Sequence, residues 1–267
     1  MVNINDFDAY CFDLDGTIYV GSELLPGVKE TLDLLRRQNK KVLFITNTPT
    51  QTREECQQRL QTMGIIAELE EVITAPFISA VYFSEKFPDS CVYIVGEKAI
   101  EEEFNRFALK MTENPMEATH VLVGLDRSFT YEKLNLAMNA VRNGAKLIVT
   151  NPDPSCPVPE GYISDTLAIA KAIEVASGQT INDVIGKPSS FYGNKVLEIL
   201  KITSNRCLII GDRLETDIML GKTNDFHTCL VLTGVSSKED VEQTNIYPDY
   251  IVENLQSLFN RVSILGA

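Results

Sequence analysis

"AYCFDLDGTIYVG", residues 9–21, sets two aspartates, Asp13 and Asp15, at the end of an apolar run and follows them at once with Gly16. The run reads as a buried strand, and the glycine marks the turn that ends it. Two carboxylates this close repel each other, so the arrangement costs energy unless a cation or a reaction uses it. A strand ending in an Asx-type turn is the plain alternative for the same residues.

Downstream, apolar runs alternate with helical patterns almost throughout, the signature of a parallel sheet covered by helices. Pro26 opens a helix whose Val28, Leu32 and Leu35 share one face, and "KVLFIT" (41–46) follows as a second strand. "TREECQQRLQTMGI" (52–65) predicts a helix closed by Gly64, with "EVIT" (71–74) as a short third strand. From about residue 80 the pattern restarts. "CVYIVG" (91–96), "HVLVGL" (120–125) and "KLIVT" (146–150) predict three strands interleaved with helices over 98–109, 131–143 and 166–177. "NPDPSCPVPEG" (151–161) is a Pro-rich loop whose prolines predict no regular structure. "DVIG" (183–186) then leads into a helix over 191–200, and "CLIIGD" (207–212), "HTCLVLTG" (227–234) and "DYIVENL" (249–255) complete a further α/β series. The expected fold is α/β: a doubly wound parallel-sheet core in two parts, 1–79 and 184–267, with a smaller α/β cap domain, 80–183, inserted between them.

The chain is 267 residues long and 44% hydrophobic, enough for a sizeable core. Its 37 acidic against 24 basic residues give a net charge of −13, which argues against nucleic acid or a membrane surface as partner and requires any anionic ligand to find a locally positive site. Apolar runs fall far short of the ~20 residues a membrane span needs, and "MVNINDFDAY" has no basic, apolar export pattern, so a cytoplasmic protein is expected. Six scattered cysteines without a Cys-x-x-Cys pair, and only two histidines, predict neither a zinc site nor a disulfide framework; core packing is the expected role of Cys11, Cys91 and Cys207. His120 and His227 stand alone before apolar runs and are not expected to be catalytic.

Open parallel sheets bind ligands beyond the carboxyl ends of their strands, so the residues closing the core strands belong together: Asp13 and Asp15, Thr46 and Asn47, Gly186 and Lys187, Asp212 with Asp217 beyond it. Carboxylates are hard oxygen ligands of the kind Mg2+ takes, and a lysine with a hydroxyl donates to phosphate. With Asp13 as nucleophile toward phosphorus, a Mg2+ ion held by Asp13 and Asp212 would ease the approach of two anions. Asp15 would serve the leaving oxygen as acid and then water as base, its backbone carbonyl turned to the metal. Lys187, Thr46 and the amide of Asn47 would hold the phosphoryl oxygens. The rival patterns fail on residues. An EF-hand needs Glu at its twelfth position where Leu24 stands, and "GKPS" lacks both the upstream glycine and the Ser/Thr after lysine of a P-loop.

"DLDGT" (13–17), "ITNT" (45–48), "GKPS" (186–189) and "GDRLETDI" (211–218) resemble the four motifs of the haloacid dehalogenase-like phosphatases, and the resemblance spans nearly the whole chain. Motif order, spacing and the insertion between the second and third are similar to the branch with an α/β cap of the NagD or p-nitrophenyl-phosphatase type. The resemblance implies a Mg2+-dependent phosphatase for a small phosphorylated metabolite, acting through an aspartyl-phosphate on Asp13 with Asp15 as acid/base. It also implies metal ligation by Asp13, the Asp15 carbonyl and Asp212, with Asp217 supporting the site. The chain departs from many relatives at Thr48, where a second asparagine is common, and at "SDT" (164–166), where a small turn is usual. Those departures turn attention to the cap, where Arg127 and Asp165 are expected to meet the leaving group: Asp165 suits a hydroxyl or amine, Arg127 a second anionic group. Pairing of cap surfaces into a homo-oligomer is compatible with the sequence. Two alternatives share the scaffold, a phosphotransferase or phosphomutase and a receiver-like phosphorylation switch. A switch has no use for a leaving-group acid at position 15 or for an inserted domain.

Overall fold

A computed structural model describes residues 1–158 and 161–259. The chain divides into two compact units. The first comprises Met1–Thr46, Gln57–Ile73 and Lys187–Ala267; the second comprises Asn47–Cys56 and Thr74–Gly186.

The first unit is built on a six-stranded, all-parallel sheet in the order Tyr250–Val252, His227–Val231, Cys207–Gly211, Ala9–Phe12, Lys41–Ile45, Val72–Ile73. Every residue of the two central strands, Ala9–Phe12 and Cys207–Gly211, is buried, which is why they read as unbroken apolar runs. Register does the rest. Phe12 lies level with Ile210 on one side and Phe44 on the other, so the chain one step on brings Asp13, Gly211 and Ile45 abreast. Asp212 and Thr46 then follow at the same carboxyl edge, where an open parallel sheet presents its ligand-binding residues. The helix Val28–Arg37 buries Val28, Leu32 and Leu35 along one stripe, as its spacing predicts. Ser190–Leu200 begins where the Ser189 hydroxyl accepts from the Tyr192 amide at 3.1 Å. A small hairpin, Tyr19–Val20 with Glu23–Leu24, follows the Asp13–Gly16 turn and escapes a reading based on longer periodic runs.

The second unit carries a five-stranded, all-parallel sheet in the order Asp183–Val184, Lys146–Val149, His120–Val123, Cys91–Val95, Lys110–Met111. Alternate strand positions supply one face of its core: Tyr93 and Val95, Val121 and Val123, Leu147 and Val149. Against them pack Ala137, Ala140 and Val141 from the helix Tyr131–Arg142, and Ile169, Ala170 and Ile173 from Thr166–Ser177. The small alanines bring the first helix close to the sheet.

Local readings of the sequence change in four places. The helix Ala75–Lys86 has Ala75, Ile78, Ala80, Tyr82 and Phe83 all buried, so it lacks amphipathic periodicity and goes unread in the sequence; the second unit takes in this helix from Thr74 on, together with Asn47–Cys56. "DVIG" does not serve the first sheet: Asp183–Val184 pairs with Lys146–Val149 as the edge of the second. The helix expected over 98–109 stops at Arg106, and Lys110–Met111 takes the other edge. The Pro-rich stretch is not irregular either, since Ser155–Val158 and Gly161–Ser164 pair antiparallel, with Pro157 opposite Tyr162; residues 159 and 160 of that stretch lie outside the described residues. A two-stranded ribbon bonds on one side only, so proline is tolerated where its nitrogen faces away from the partner. Among the described residues no helix is long and apolar enough to cross a membrane.

Candidate active site

At the carboxyl edge of the first sheet, carboxylate oxygens of Asp13, Asp212 and Asp217 all lie within 4.8 Å of one another, and all three residues are buried. Asp13 and Asp212 come straight from the ends of their strands. Asp217 comes from a widened, π-type turn, Leu214–Ile218, in which the Ile218 amide donates to the Arg213 carbonyl at 3.3 Å. Such turns are uncommon and gather at functional sites. Asp217 also accepts from the Arg213 amide at 3.1 Å through Oδ2, which fixes the carboxylate from below.

Lys187 sits among them, 1% exposed. Its Nζ donates to Asp13 Oδ1 and to Asp217 Oδ1, each at 2.6 Å, and to the Ile45 carbonyl at 3.2 Å. Burial works to lower its pKa, but Asp13 and Asp217 overcome that and hold it above its ordinary value, so it stays charged. Lys187 is a cation in direct contact with the cluster, and Arg213 also favours the charged form of Asp212. Burial lifts Asp13 well above the carboxylate range, with Asp217 and Asp212 adding to the lift and Lys187 opposing it. Burial and the nearby Asp217 push Asp212 up to about 7. Three buried carboxylates with ligand oxygens within 4.8 Å of one another are a group that a cation would stabilise. An oxygen-only donor set is the kind that suits Mg2+ better than Zn2+. The residues present therefore fit that ion.

Space for these carboxylates is made by glycines that sequence reading passed over. A Cβ on Gly234 would lie 1.9 Å from Asp212 Oδ2, and one on Gly211 would lie 2.2 Å from Asp217 Cγ. The loop carrying Gly234 also serves the site directly: the Val235 amide donates to Asp212 Oδ2 at 2.7 Å and the Thr233 hydroxyl to the Gly16 carbonyl at 2.5 Å. Gly16 itself takes φ +87°, the left-handed turn that redirects the chain after Asp15. The available signal was the abrupt glycine after each apolar run, "CLIIG" and "CLVLTG".

Asp15 stands beside the cluster with its side chain 54% exposed and Arg59 Nη2 at 3.9 Å. Protein crowding around a carboxylate whose tip still meets solvent lifts its pKa, and Arg59 and Lys187 counter that lift. Such a group can both donate and accept a proton. Thr46 is 3% exposed at the same sheet edge, its amide bound to the Ile73 carbonyl at 2.9 Å. Asn47 belongs to the second unit, where its side-chain Nδ2 donates to Asp153 Oδ2 at 2.9 Å.

The two other candidates are likewise in the second unit, and their polar atoms serve local structure. Arg127 makes a two-pronged pair with Glu97, at 2.5 and 2.7 Å, and Asp165 caps the helix Thr166–Ser177 by accepting from the Thr166 amide at 2.5 Å. His120 is buried against the rings of Phe83 and Phe87, and burial with nearby Lys146 depresses it to about 4, so it is neutral near pH 7. The cysteines are free thiols, five of the six buried.

Comparison with known proteins bears on this geometry. A family model described as haloacid dehalogenase-like hydrolase matches residues 10–110, and a second, HAD-hydrolase-like, matches residues 184–258. The acid sugar phosphatase of Staphylococcus saprophyticus is 36% identical over 260 residues, covering 97% of this chain and 99% of that protein. The protein of the same name from Staphylococcus aureus is 37% identical over 252 residues, 94% of this chain and 96% of that protein. Among solved structures, the 4-nitrophenylphosphatase of Thermotoga maritima superposes with a TM-score of 0.90 at 30% identity, over 97% of this chain and 98% of that one. NagD of E. coli K-12 superposes at 0.86 with 28% identity, over 95% and 98%.

Proposed function

The chain belongs to the haloacid dehalogenase-like hydrolases, as a phosphatase of the NagD type and hence a phosphoric monoester hydrolase, and from that premise we propose that it hydrolyses small phosphate monoesters, sugar phosphates among them, in two Mg2+-dependent steps through an aspartyl-phosphate on Asp13. The observation that carries the reading is the buried Asp13–Lys187–Asp217 contact with Asp212 beside it. The names of the staphylococcal relatives support the sugar-phosphate class.

In the first step Asp13 attacks phosphorus and the ester P–O bond breaks, while Asp15 gives its proton to the departing oxygen. In the second, water attacks the phosphorus of the acyl phosphate; Asp15 takes the proton of that water, and Asp13 is released as carboxylate together with inorganic phosphate. Lys187 and Thr46 would line the place where charge collects on the phosphoryl oxygens, and Lys187 keeps its proton because Asp217 holds it throughout, with Asp13 as a second carboxylate partner before attack and after release. Asp13, Asp212 and the Asp15 carbonyl would hold a Mg2+ ion, with Asp217 steadying the site, and the bound ion would supply positive charge that lowers the repulsion between nucleophile and substrate. Asn47, assigned by the motif to phosphate as well, is a proposed contact through its backbone amide.

The test is phosphate release from p-nitrophenyl phosphate and a panel of sugar phosphates, before and after exhaustive chelation. Activity is expected to disappear with chelation and return with Mg2+ but not with Zn2+; full activity in chelator would refute the metal role. Gly234→Ala sharpens it, because the added methyl has to displace the Asp212 carboxylate. The Mg2+ concentration for half-maximal activity is expected to rise by ~10–100-fold, the usual loss when support for a metal ligand is removed.

A further inference from the structure

Arg59 lies in the last turn of the helix Arg53–Thr62, within the first unit and outside the four motifs. Its guanidinium makes three contacts with the turn that carries Asp15. Its carbon sits 3.9 Å from the centre of the Tyr19 ring, Nη2 donates to the Gly21 carbonyl at 2.8 Å, and the same nitrogen is 3.9 Å from Asp15 Oδ1. Tyr19 is fully buried and is tied in turn to the Asp15 segment: residues 15 and 19 form a β-bridge, and the Gly16 amide donates to the Tyr19 carbonyl at 2.8 Å. Whatever fixes Tyr19 and Gly21 therefore fixes the backbone that aims Asp15.

A planar cation suits this place. Its flat face can lie over an aromatic ring while the N–H groups in its plane donate outward, which an ammonium cannot do at once. At 3.9 Å the charge is too far from Asp15 to tie it up in a hydrogen bond, yet near enough to bias a half-exposed side chain toward one orientation. An exposed ion pair of this kind contributes little to stability, so the arrangement is better understood through orientation than through folding energy.

We propose that Arg59 is a positioning residue for the phosphatase reaction: by bolting the Tyr19–Gly21 segment to the helix and drawing on the Asp15 carboxylate, it aims Asp15 at the leaving oxygen of the substrate. The proposal rests on the acid role given to Asp15 above. A misaimed acid hurts most where the leaving group needs a proton. An alkyl ester such as a sugar phosphate needs it; p-nitrophenolate hardly does.

The experiment compares Arg59→Met, which keeps the stem against Tyr19 without charge or donors, and Arg59→Lys with the unaltered protein and with Asp15→Asn. The readout is kcat/KM, which reports the first half-reaction, for glucose 6-phosphate or another sugar phosphate the protein turns over, and for p-nitrophenyl phosphate. Arg59→Met is expected to lose ~10-fold or more on the sugar phosphate and less than ~3-fold on the aryl ester, as misplacement of a catalytic group predicts. Arg59→Lys should recover part of the loss. Equal losses on both esters, or none, while Asp15→Asn shows the selective pattern, would overturn the role of Arg59 and leave that of Asp15 standing. Absence of selectivity in Asp15→Asn would overturn the acid assignment itself, and with it this inference.

Discussion

Asp13→Asn is expected to reduce phosphate release from every ester by ~10⁴-fold or more, because it keeps the shape of the side chain and removes the attacking oxygen anion. The fold should survive. Asp13 sits in a cluster where carboxylates outnumber cations, and a neutral amide there relieves its repulsion with Asp212 and Asp217 while Lys187 keeps Asp217 as partner. The melting temperature in chelator should therefore stay within a few degrees of the unaltered protein, and the circular dichroism spectrum should be unchanged. Steady turnover within ~100-fold of the unaltered protein, in material whose mass confirms Asn at position 13, would mean that the attack comes from another group.

Lys187→Met should damage both activity and stability. Loss of a preorganised donor to a charge-developing oxygen lowers turnover by ~10²–10³-fold. At the same time Asp13 and Asp217 are left buried without their shared cation, and breaking a buried pair from one side costs about 3–5 kcal/mol. At ~2–4 °C per kcal/mol for a unit of this size, the transition of the first unit should fall by roughly 6–12 °C for a 3 kcal/mol loss. The pH dependence has a definite sign. Burial already holds the folded-state pKa of Asp13 above the unfolded value of about 3.9, and loss of the opposing Lys187 raises it further, so the penalty is present at neutral and higher pH and shrinks as pH falls and Asp13 takes up a proton. Differential scanning calorimetry in chelator at pH 8 and pH 5 reads this directly. A gap that widens at pH 5 would contradict the assignment.

How much of this was legible follows from the range over which each signal acts. The strands ending in Asp13, Thr46 and Asp212 are apolar runs closed by polar residues, a local pattern that survives in one dimension; so is the spacing of Val28, Leu32 and Leu35. All strands of a parallel sheet end at one edge, so Asp13 and Asp212 could be expected on the same side of the sheet; that they meet is decided by the two strands being neighbours in register. Lys187 was singled out by the motif it stands in, and the structure brings it onto Asp13 and Asp217.

Other features depend on which segments become neighbours. Two-residue strands such as Asp183–Val184 and Lys110–Met111 hold no periodicity, and the sheet they join is set by the edge they meet. The helix Ala75–Lys86 is buried on most sides, so burial itself erased the amphipathic signal that sequence reading relies on. The partner of Arg127 could not be read from the sequence, because Glu97 is brought to it by folding from 30 residues away, whereas the cap that Asp165 makes on the next residue's amide is a local pattern open to sequence reading. Gly234 and Arg59 matter through what stands opposite them, the Asp212 carboxylate and the Tyr19 ring. The sequence by itself determined the parallel α/β architecture and the chemical inventory of the site, since hydrophobic period and residue type are local properties. The tertiary structure alone decided the sharing of Lys187 between two carboxylates, the room made for Asp212 and the anchoring of Asp15, since each depends on distances between residues far apart in the chain.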